Sequence, residues 1–328
     1  MVHHKHFEIS TLRDIYDQAR KKELQELKDL ETGYIKATLT EAVKCALCFQ
    51  EDTRTIFEKQ GFTFVQCVNC DFIYTNPRLT NTKILQDYTH SESNDIWIEI
   101  LLTADQTKYN NQKYNFFLDE ISRHISPPRQ LLDIGCSIGQ FMHLAEKRGY
   151  KCTGLEQNNK ARKHAEDHYG LTVENTLVED LDPRNTQYDI ITMFGVLEHL
   201  PNPHDILHHC NQLLVKDGFL ALLVPNNGSL VARMLHDKAF GVDGRNHLSY
   251  FTKRTLTMIL ENNGFTDINL TTRVSCIKPI GNYLNYQDPY FPNMDKMDDE
   301  LVSIIPEVEK IIDQYDMGHH LYATARKK

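Results

Sequence analysis

Apolar residues in the second half of the chain gather into short runs, most of them ending near a polar or acidic residue. Leu131 to Ile134, Lys151 to Glu156, Leu171 to Glu174, Tyr188 to Met193 and Gly218 to Val224 have the length of buried strands. Stretches of helical spacing lie between them, the pattern of a parallel α/β sheet. Phe265 to Cys276 predicts a sixth strand after a helix ending at Asn262-Asn263-Gly264, and His319 to Arg326 predicts a seventh. The connection between these last two strands is unusually long for a hairpin. It holds Tyr283, Tyr286, Tyr290, Phe291 and a helix over about 295–315, and is expected to form a lid-like insertion at 277–318 over part of the substrate site.

The first half reads differently. Leu12, Ile15, Tyr16, Ala19, Leu27 and Leu30 recur at helical spacing among many charges and predict a helical arm within 1–40. Thr53 to Phe57 and Phe62 to Gln66 alternate like strands around a turn at Gly61. They lie between two Cys-x-x-Cys pairs, Cys45/Cys48 and Cys67/Cys70, at the spacing of a four-cysteine zinc site. The region 41–78 is therefore expected to be a zinc ribbon. Four thiolates leave no open coordination position, so this Zn2+ would be structural. Helices follow over 79–126, and Pro127-Pro128 opens a domain running to 328.

The richest motif is Asp133-Ile134-Gly135-Cys136-Ser137-Ile138-Gly139, where a strand ends in an acid and a glycine-punctuated turn feeds a helix. Such a turn lets backbone N–H groups approach a ligand closely. The middle glycine of a dinucleotide-binding fingerprint is missing, and the acid suits a cationic ligand better than a pyrophosphate. Glu156, 23 positions after Asp133, stands where a doubly wound fold places a carboxylate for ribose hydroxyls. Val178-Glu179 follows the third strand, and the fourth runs through Phe194 into Val196-Leu197-Glu198-His199-Leu200.

The D-x-G-x-x-x-G run resembles the first motif of class I S-adenosylmethionine methyltransferases, and the VLEHL run is similar to a signature of many small-molecule members. The resemblance implies a Rossmann-like α/β sheet of seven strands, mostly parallel with the last antiparallel, and S-adenosylmethionine as cofactor. It implies cofactor contacts at Asp133, Gly135, Cys136, Gly139, Glu156, Gln157, Val178, Glu179 and Phe194. The order of ribbon, Asn76-Pro77-Arg78, tyrosine-bearing helix and cofactor domain, over roughly 45–275, resembles bacterial zinc-ribbon methyltransferases. Their relatives include sugar C-methyltransferases acting on nucleotide-linked ketosugars.

Methyl transfer needs an aligned nucleophile, a base and a dry site. His199 is the leading candidate base, since it follows the fourth strand at the edge where open α/β sheets bind ligands; the resemblance implies the same role. Glu198 would orient it or hold a substrate hydroxyl; the alternative is that the pair merely caps and packs the next helix. His247 and Tyr250, in Arg245-Asn246-His247-Leu248-Ser249-Tyr250-Phe251, could act on a substrate oxygen, against a reading in which Thr252 caps a helix and Tyr250 packs. Some quinone O-methyltransferases with a similar Glu-His pair bind a divalent ion, a possibility left open for this chain.

Composition narrows the field. The 328 residues are 41% hydrophobic and 25% charged, with no run long enough to span a membrane. A net charge of −9 argues against a broad nucleic-acid surface. Paired cysteines point to a reducing, cytoplasmic compartment, and no secretory signal is expected at the N-terminus. The expected activity is S-adenosylmethionine-dependent methyl transfer to a small-molecule acceptor. RNA methylation and a non-catalytic scaffold are the alternatives; the acceptor atom and oligomeric state are not legible.

Overall fold

The computed structural model describes residues 2–239, 241–273 and 299–328. The chain opens with helix α1 (Val2–Leu27). Strands β1 (Thr40–Glu41), β2 (Thr53–Lys59), β3 (Phe62–Cys67), β4 (Ile73–Thr75) and β5 (Arg78–Leu79) build the ribbon, followed by α2 (Asn81–His90), α3 (Glu92–Leu101) and α4 (Ala104–His124). The large domain then alternates β6 (Gln130–Ile134), α5 (Gln140–Lys147), β7 (Lys151–Leu155), α6 (Asn159–Tyr169), β8 (Val173–Glu174), β9 (Tyr188–Phe194), α7 (Pro203–Leu213) and β10 (Leu214–Pro225). After α8 (Leu230–Leu235) come β11 (Ser249–Tyr250), α9 (Lys253–Asn262), β12 (Phe265–Arg273), α10 (Asp299–Gln314) and β13 (His320–Lys327).

Seven strands form one sheet in the order β12-β13-β10-β9-β6-β7-β8. Pairings from β10 through β8 are parallel, and β13 runs antiparallel to both β10 and β12. This is the expected Rossmann-like arrangement with its last strand reversed. Strand periodicity sorts the core onto the two faces. Leu131, Ile190, Phe219, Ala221 and Tyr322 pack with Phe117, Leu118 and Ile121 of α4 and Phe141 and Met142 of α5. Leu132, Ile191, Met193, Leu220, Leu222 and Ala323 pack with Ile206 and Leu207 of α7 and Leu256 and Ile259 of α9.

The ribbon joins that second cluster: Leu47, Val65, Phe72 and Tyr74 share it with Phe251 and α9. Its sheet is completed from the large domain, in the order β11-β4-β3-β2, with Ser249 paired to Tyr74 and Tyr250 to Ile73. The helical arm expected within 1–40 is α1, which begins at Val2 and ends at Leu27. Of the expected insertion, 277–298 lies outside the described residues, including Tyr283, Tyr286, Tyr290 and Phe291. The expected helix is α10, which seats Ile305 and Ile312 against Leu230 and Met317.

Gly154 shows how tightly the cofactor-side strands are packed. A Cβ there would stand 2.6 Å from both Cys136 Sγ and Met142 Sδ. Gly154→Ala is expected to destabilise the fold by about 1–3 kcal/mol through overpacking, read as a lower urea midpoint at unchanged slope. An unaltered midpoint would mean that α5 and the turn before it yield freely.

Candidate active site

The turn after β6 is held by β7: Gly135 N and Cys136 N both donate to Leu155 O, at 2.8 and 3.1 Å. Gly135 has φ +70°, and a Cβ there would lie 2.6 Å from Val196 Cγ2, so the site admits only glycine. Ser137 also takes a left-handed backbone, φ 51°. Its N–H donates to Glu156 Oε2 at 2.9 Å, while Asn158 N donates to Oε1 at 2.7 Å. Each carboxylate oxygen keeps a second lone pair, so Glu156 can still accept ligand hydroxyls.

Asp133 is buried at the end of β6, and its Oδ1 accepts 2.6 Å from Thr192 Oγ1. Burial pushes its pKa up to about 7, against the lowering pull of the Thr192 hydroxyl. Burial also raises Glu156, opposed by its backbone donors. Two desolvated carboxylates without a cationic side chain bonded to either among the described residues are costly to keep, and they favour a ligand that brings positive charge and hydroxyls.

Other expected cofactor residues sit around this turn with different commitments. Gln157 Nε2 donates to Thr176 O at 3.0 Å, and Val178 is buried in a single 3-10 turn, Val178–Asp180, that includes Glu179. The Cys136 side chain is buried under Gly154. Phe194 stacks on Phe117 at 4.7 Å and meets Phe141 edge-on at 5.0 Å. Gly139, at φ +77°, stands at the N-cap of α5.

Glu198 and His199 form a 3-10 turn, Leu197–His199, just past β9. His199 Nδ1 lies 2.9 Å from Asn246 O, and His247 Nδ1 lies 2.7 Å from Gly241 O. A carbonyl only accepts, so both imidazoles carry a proton on Nδ1. The two rings meet edge-to-face at 4.6 Å, and Tyr88 of α2 stands edge-on to His199 at 6.0 Å. His199 Nε2 is 3.8 Å from Glu198 Oε1, and buried Glu198 Oε2 has no hydrogen-bond partner among the described residues. One ligand atom from each of Glu198, His199 and His247 falls within 4.8 Å of the others, so the three could hold a divalent ion. Burial raises Glu198 to about 8, and burial together with the His247 charge lowers His199 to about 3. Both are therefore neutral near pH 7.

Tyr250 is not brought to this centre. Its hydroxyl donates to His247 O at 2.7 Å and accepts from Asp243 N at 3.3 Å, while its ring packs on Phe64. It shapes the loop that carries His247, and Thr252 caps α9 in a reciprocal box with Thr255. Arg245 is buried rather than offered to a ligand: Nη1 donates to Glu23 Oε2 at 2.6 Å and Nε to Asp87 Oδ2 at 3.2 Å. Arg20 of α1 donates to Asp243 Oδ2 at 2.6 Å, and that same oxygen accepts from Asn246 Nδ2 at 2.9 Å. Asp243 and Asn246 were not singled out by sequence. Asn246 holds His199 through its backbone, which leaves no side-chain signal to read.

The four ribbon cysteines converge as their spacing predicts. Each knuckle ends on a left-handed residue four places after its first cysteine, Phe49 and Asp71, both at φ 62°. Cys45 Sγ lies 3.5 Å from Cys70 Sγ, and Cys48 Sγ 3.4 Å from Cys67 Sγ. Those separations approach the roughly 3.8 Å edge of a tetrahedron with zinc–sulfur bonds of about 2.3 Å. The cluster can therefore hold one tetrahedral ion.

A family model described as "Methyltransferase domain" matches residues 104–270. Ubiquinone biosynthesis O-methyltransferases of Actinobacillus pleuropneumoniae serotype 7 and Glaesserella parasuis serovar 5 are 36% and 35% identical over 118 and 108 residues. These alignments cover 33% and 30% of this chain and 50% and 46% of the relatives, so the chain spans about half the length of the curated proteins it matches. Magnesium protoporphyrin IX methyltransferase from Synechocystis PCC 6803, solved with bound S-adenosylhomocysteine, superposes with a TM-score of 0.50 at 15% identity. That match covers 76% of this chain and 100% of the other, a likeness of fold.

The histidine geometry has its own test. In ring 15N spectra His199 is expected as the neutral Nδ1–H tautomer between about pH 8 and about pH 5. A ring that titrates near pH 6, or carries its proton on Nε2, would contradict the Asn246 contact.

Proposed function

The chain belongs to the methyltransferase-domain family, with the class I S-adenosylmethionine-dependent fold, and we propose that it methylates a small-molecule hydroxyl or carbon acid with His199 as general base. The observation that carries this reading is the anchored imidazole: Asn246 O fixes Nδ1–H, so Nε2 is a neutral base at physiological pH. Asp133, Glu156 and the turn from Gly135 to Gly139 would hold S-adenosylmethionine; its ammonium and ribose hydroxyls suit the desolvated acids. When bound, that cofactor supplies a methyl group on a sulfonium.

His199 would take the acceptor's proton as the nucleophile closes on that methyl group. Glu198, neutral near pH 7, can donate a hydrogen bond to an acceptor oxygen. Tyr88 walls the same space and keeps water from it. Two acceptor classes are favoured: nucleotide-linked ketosugars, from the resemblance of ribbon and cofactor domain together, and quinone-type phenols, from the O-methyltransferase relatives. The second class has a structural argument of its own. Glu198, His199 and His247 converge closely enough to ligate a divalent ion, which could polarise a phenolic oxygen in place of base catalysis. Zn2+ in the four-cysteine cluster is proposed as structural only.

Titration with S-adenosylhomocysteine is expected to give a Kd in about the micromolar range. Asp133→Asn and Glu156→Ala each weaken it by about tenfold or more. Affinity rises with pH through 7, because Asp133, raised to about 7, must ionise to attract the ammonium; the Asp133→Asn variant lacks that slope. His199→Gln keeps this binding but loses roughly 10²–10⁴ in turnover on whichever acceptor class is methylated. Turnover abolished by chelators that leave the ribbon zinc in place would move the metal-assisted reading to the front, whereas turnover retained in His199→Gln would contradict both readings, since His199 is the base in one and a ligand in the other.

The ribbon is expected to release one zinc per chain on titration with a mercurial. Cys67→Ser, which breaks the tetrahedron, lowers the melting temperature and loosens the Ser249–Tyr250 edge in hydrogen exchange. A metal-free but equally stable wild type would exclude the structural role.

A further inference from the structure

A cleft of about 290 Å³ lies between the first cysteine knuckle and the start of α7. Lys44, Phe72, Tyr74, Arg78, His204 and Asp205 are among its walls. Asp133, Glu156, Glu198, His199 and His247 do not line it, so it is separate from the candidate active site. Leu248 and Ser249 form its floor, in the segment whose preceding residue, His247, belongs to that site.

Two side chains lining the cleft are more than nine-tenths buried and keep a polar atom without a partner among the described residues: Tyr74 Oη and Arg78 Nε. Unpaired buried donors are rare in folded proteins and call for an occupant. Arg78 is firmly oriented through its other end. Nη1 donates to Leu79 O at 3.0 Å and Asn81 Oδ1 at 2.8 Å, and lies 3.0 Å from Glu41 Oε1. Helix α7 adds a third element. Asn202 stands at its N-cap without making a side-chain cap bond, and Pro203 follows, so the next two amides, at His204 and Asp205, face the helix's positive end uncapped. Lys44 lies at the rim, 3.0 Å from Glu51 on the surface. The acids nearby are Glu41, held by Arg78, and Asp205, whose side chain is 73% exposed and turned toward His204 at 3.4 Å; Cys45 also lines the cleft, and the four cysteines lie close enough to act on the Tyr74 hydroxyl.

We propose that this cleft is a binding site for a phosphate-class anion, with Tyr74 Oη, Arg78 and the start of α7 as its donors. Its volume exceeds that of inorganic phosphate and accommodates a pyrophosphate or a phosphate ester, whose organic part would lie against Phe49. Phe49 is 53% exposed and sits edge-on to His204 at 4.8 Å. The site stands independently of the acceptor reading.

The test is thermal shift and calorimetry with inorganic pyrophosphate and, in parallel, a nucleoside diphosphate, against NaCl at matched ionic strength. Wild type is expected to bind at least one of them and to gain melting temperature. Tyr74→Phe removes only the unpaired hydroxyl. If that hydroxyl had no ligand, the variant would be as stable as wild type and would bind the anions unchanged. The proposal expects binding weakened by about tenfold. Arg78→Gln serves as a second variant, and His199→Gln is expected to bind as wild type does. A much tighter nucleoside diphosphate identifies the anion as part of a nucleotide, whereas equal affinities identify free diphosphate; both support the site. Absence of binding up to about 10 mM, or binding indifferent to Tyr74 and Arg78 alike, would overturn it.

Discussion

The structure turns on a short stretch of main chain, Asn246 to Ser249, stitched on both sides. Toward the large domain, Leu248 N donates to Glu198 O at 2.8 Å and Asn246 O accepts from His199. Toward the ribbon, Leu248 O accepts from Thr75 N at 3.0 Å, and Ser249 and Tyr250 continue the ribbon sheet. Backbone bonds of this kind are insensitive to side-chain rotamers. One short segment therefore sets the tautomer of a candidate base and fixes the ribbon's place against it. The ribbon matters to the site through this seam, whatever chemistry its own ion lacks.

Against that rigid seam stands a set of uncompensated acids. Asp133, Glu156 and Glu198 are desolvated, and all three are displaced toward protonation. Proteins keep such groups where a ligand or a reaction repays the cost. Asp243 shows the opposite solution a short distance away: buried as deeply, it is drawn below the ordinary carboxylate range by Arg20, His247 and the Arg245 backbone. The contrast separates acids that support the loop from acids placed for binding or chemistry.

Much of this was legible in the sequence, because short apolar runs and their terminal acids follow from strand period and the geometry of strand ends. The parallel α/β alternation, the cysteine cluster and the Asp133–Glu156 pair all came from local spacing, while the reversed last strand came from the family resemblance. What stayed hidden was long-range or carried by main chain. Nothing in Ser249-Tyr250 marks it as an edge strand of a ribbon that begins some two hundred residues earlier. Tyr250 read as a candidate for chemistry because aromatic hydroxyls recur in such loops, yet its hydroxyl is spent on His247 O and Asp243 N. Arg245 carries no local sign of its burial, because its partners, Glu23 and Asp87, belong to helices far away in sequence.

Those partners have a temporal meaning. Arg20 and Asp243 are 223 positions apart, and Glu23 and Arg245 are 222 apart. During synthesis α1 emerges early and can meet Ser93 of α3, but Arg20 and Glu23 lack Asp243 and Arg245 until the loop after β10 has been made. Closing contacts of such separation is slow and comes late in folding. The loop that orients His199 is thus secured only when early and late parts of the chain have met, so the candidate site is not complete before both have been made.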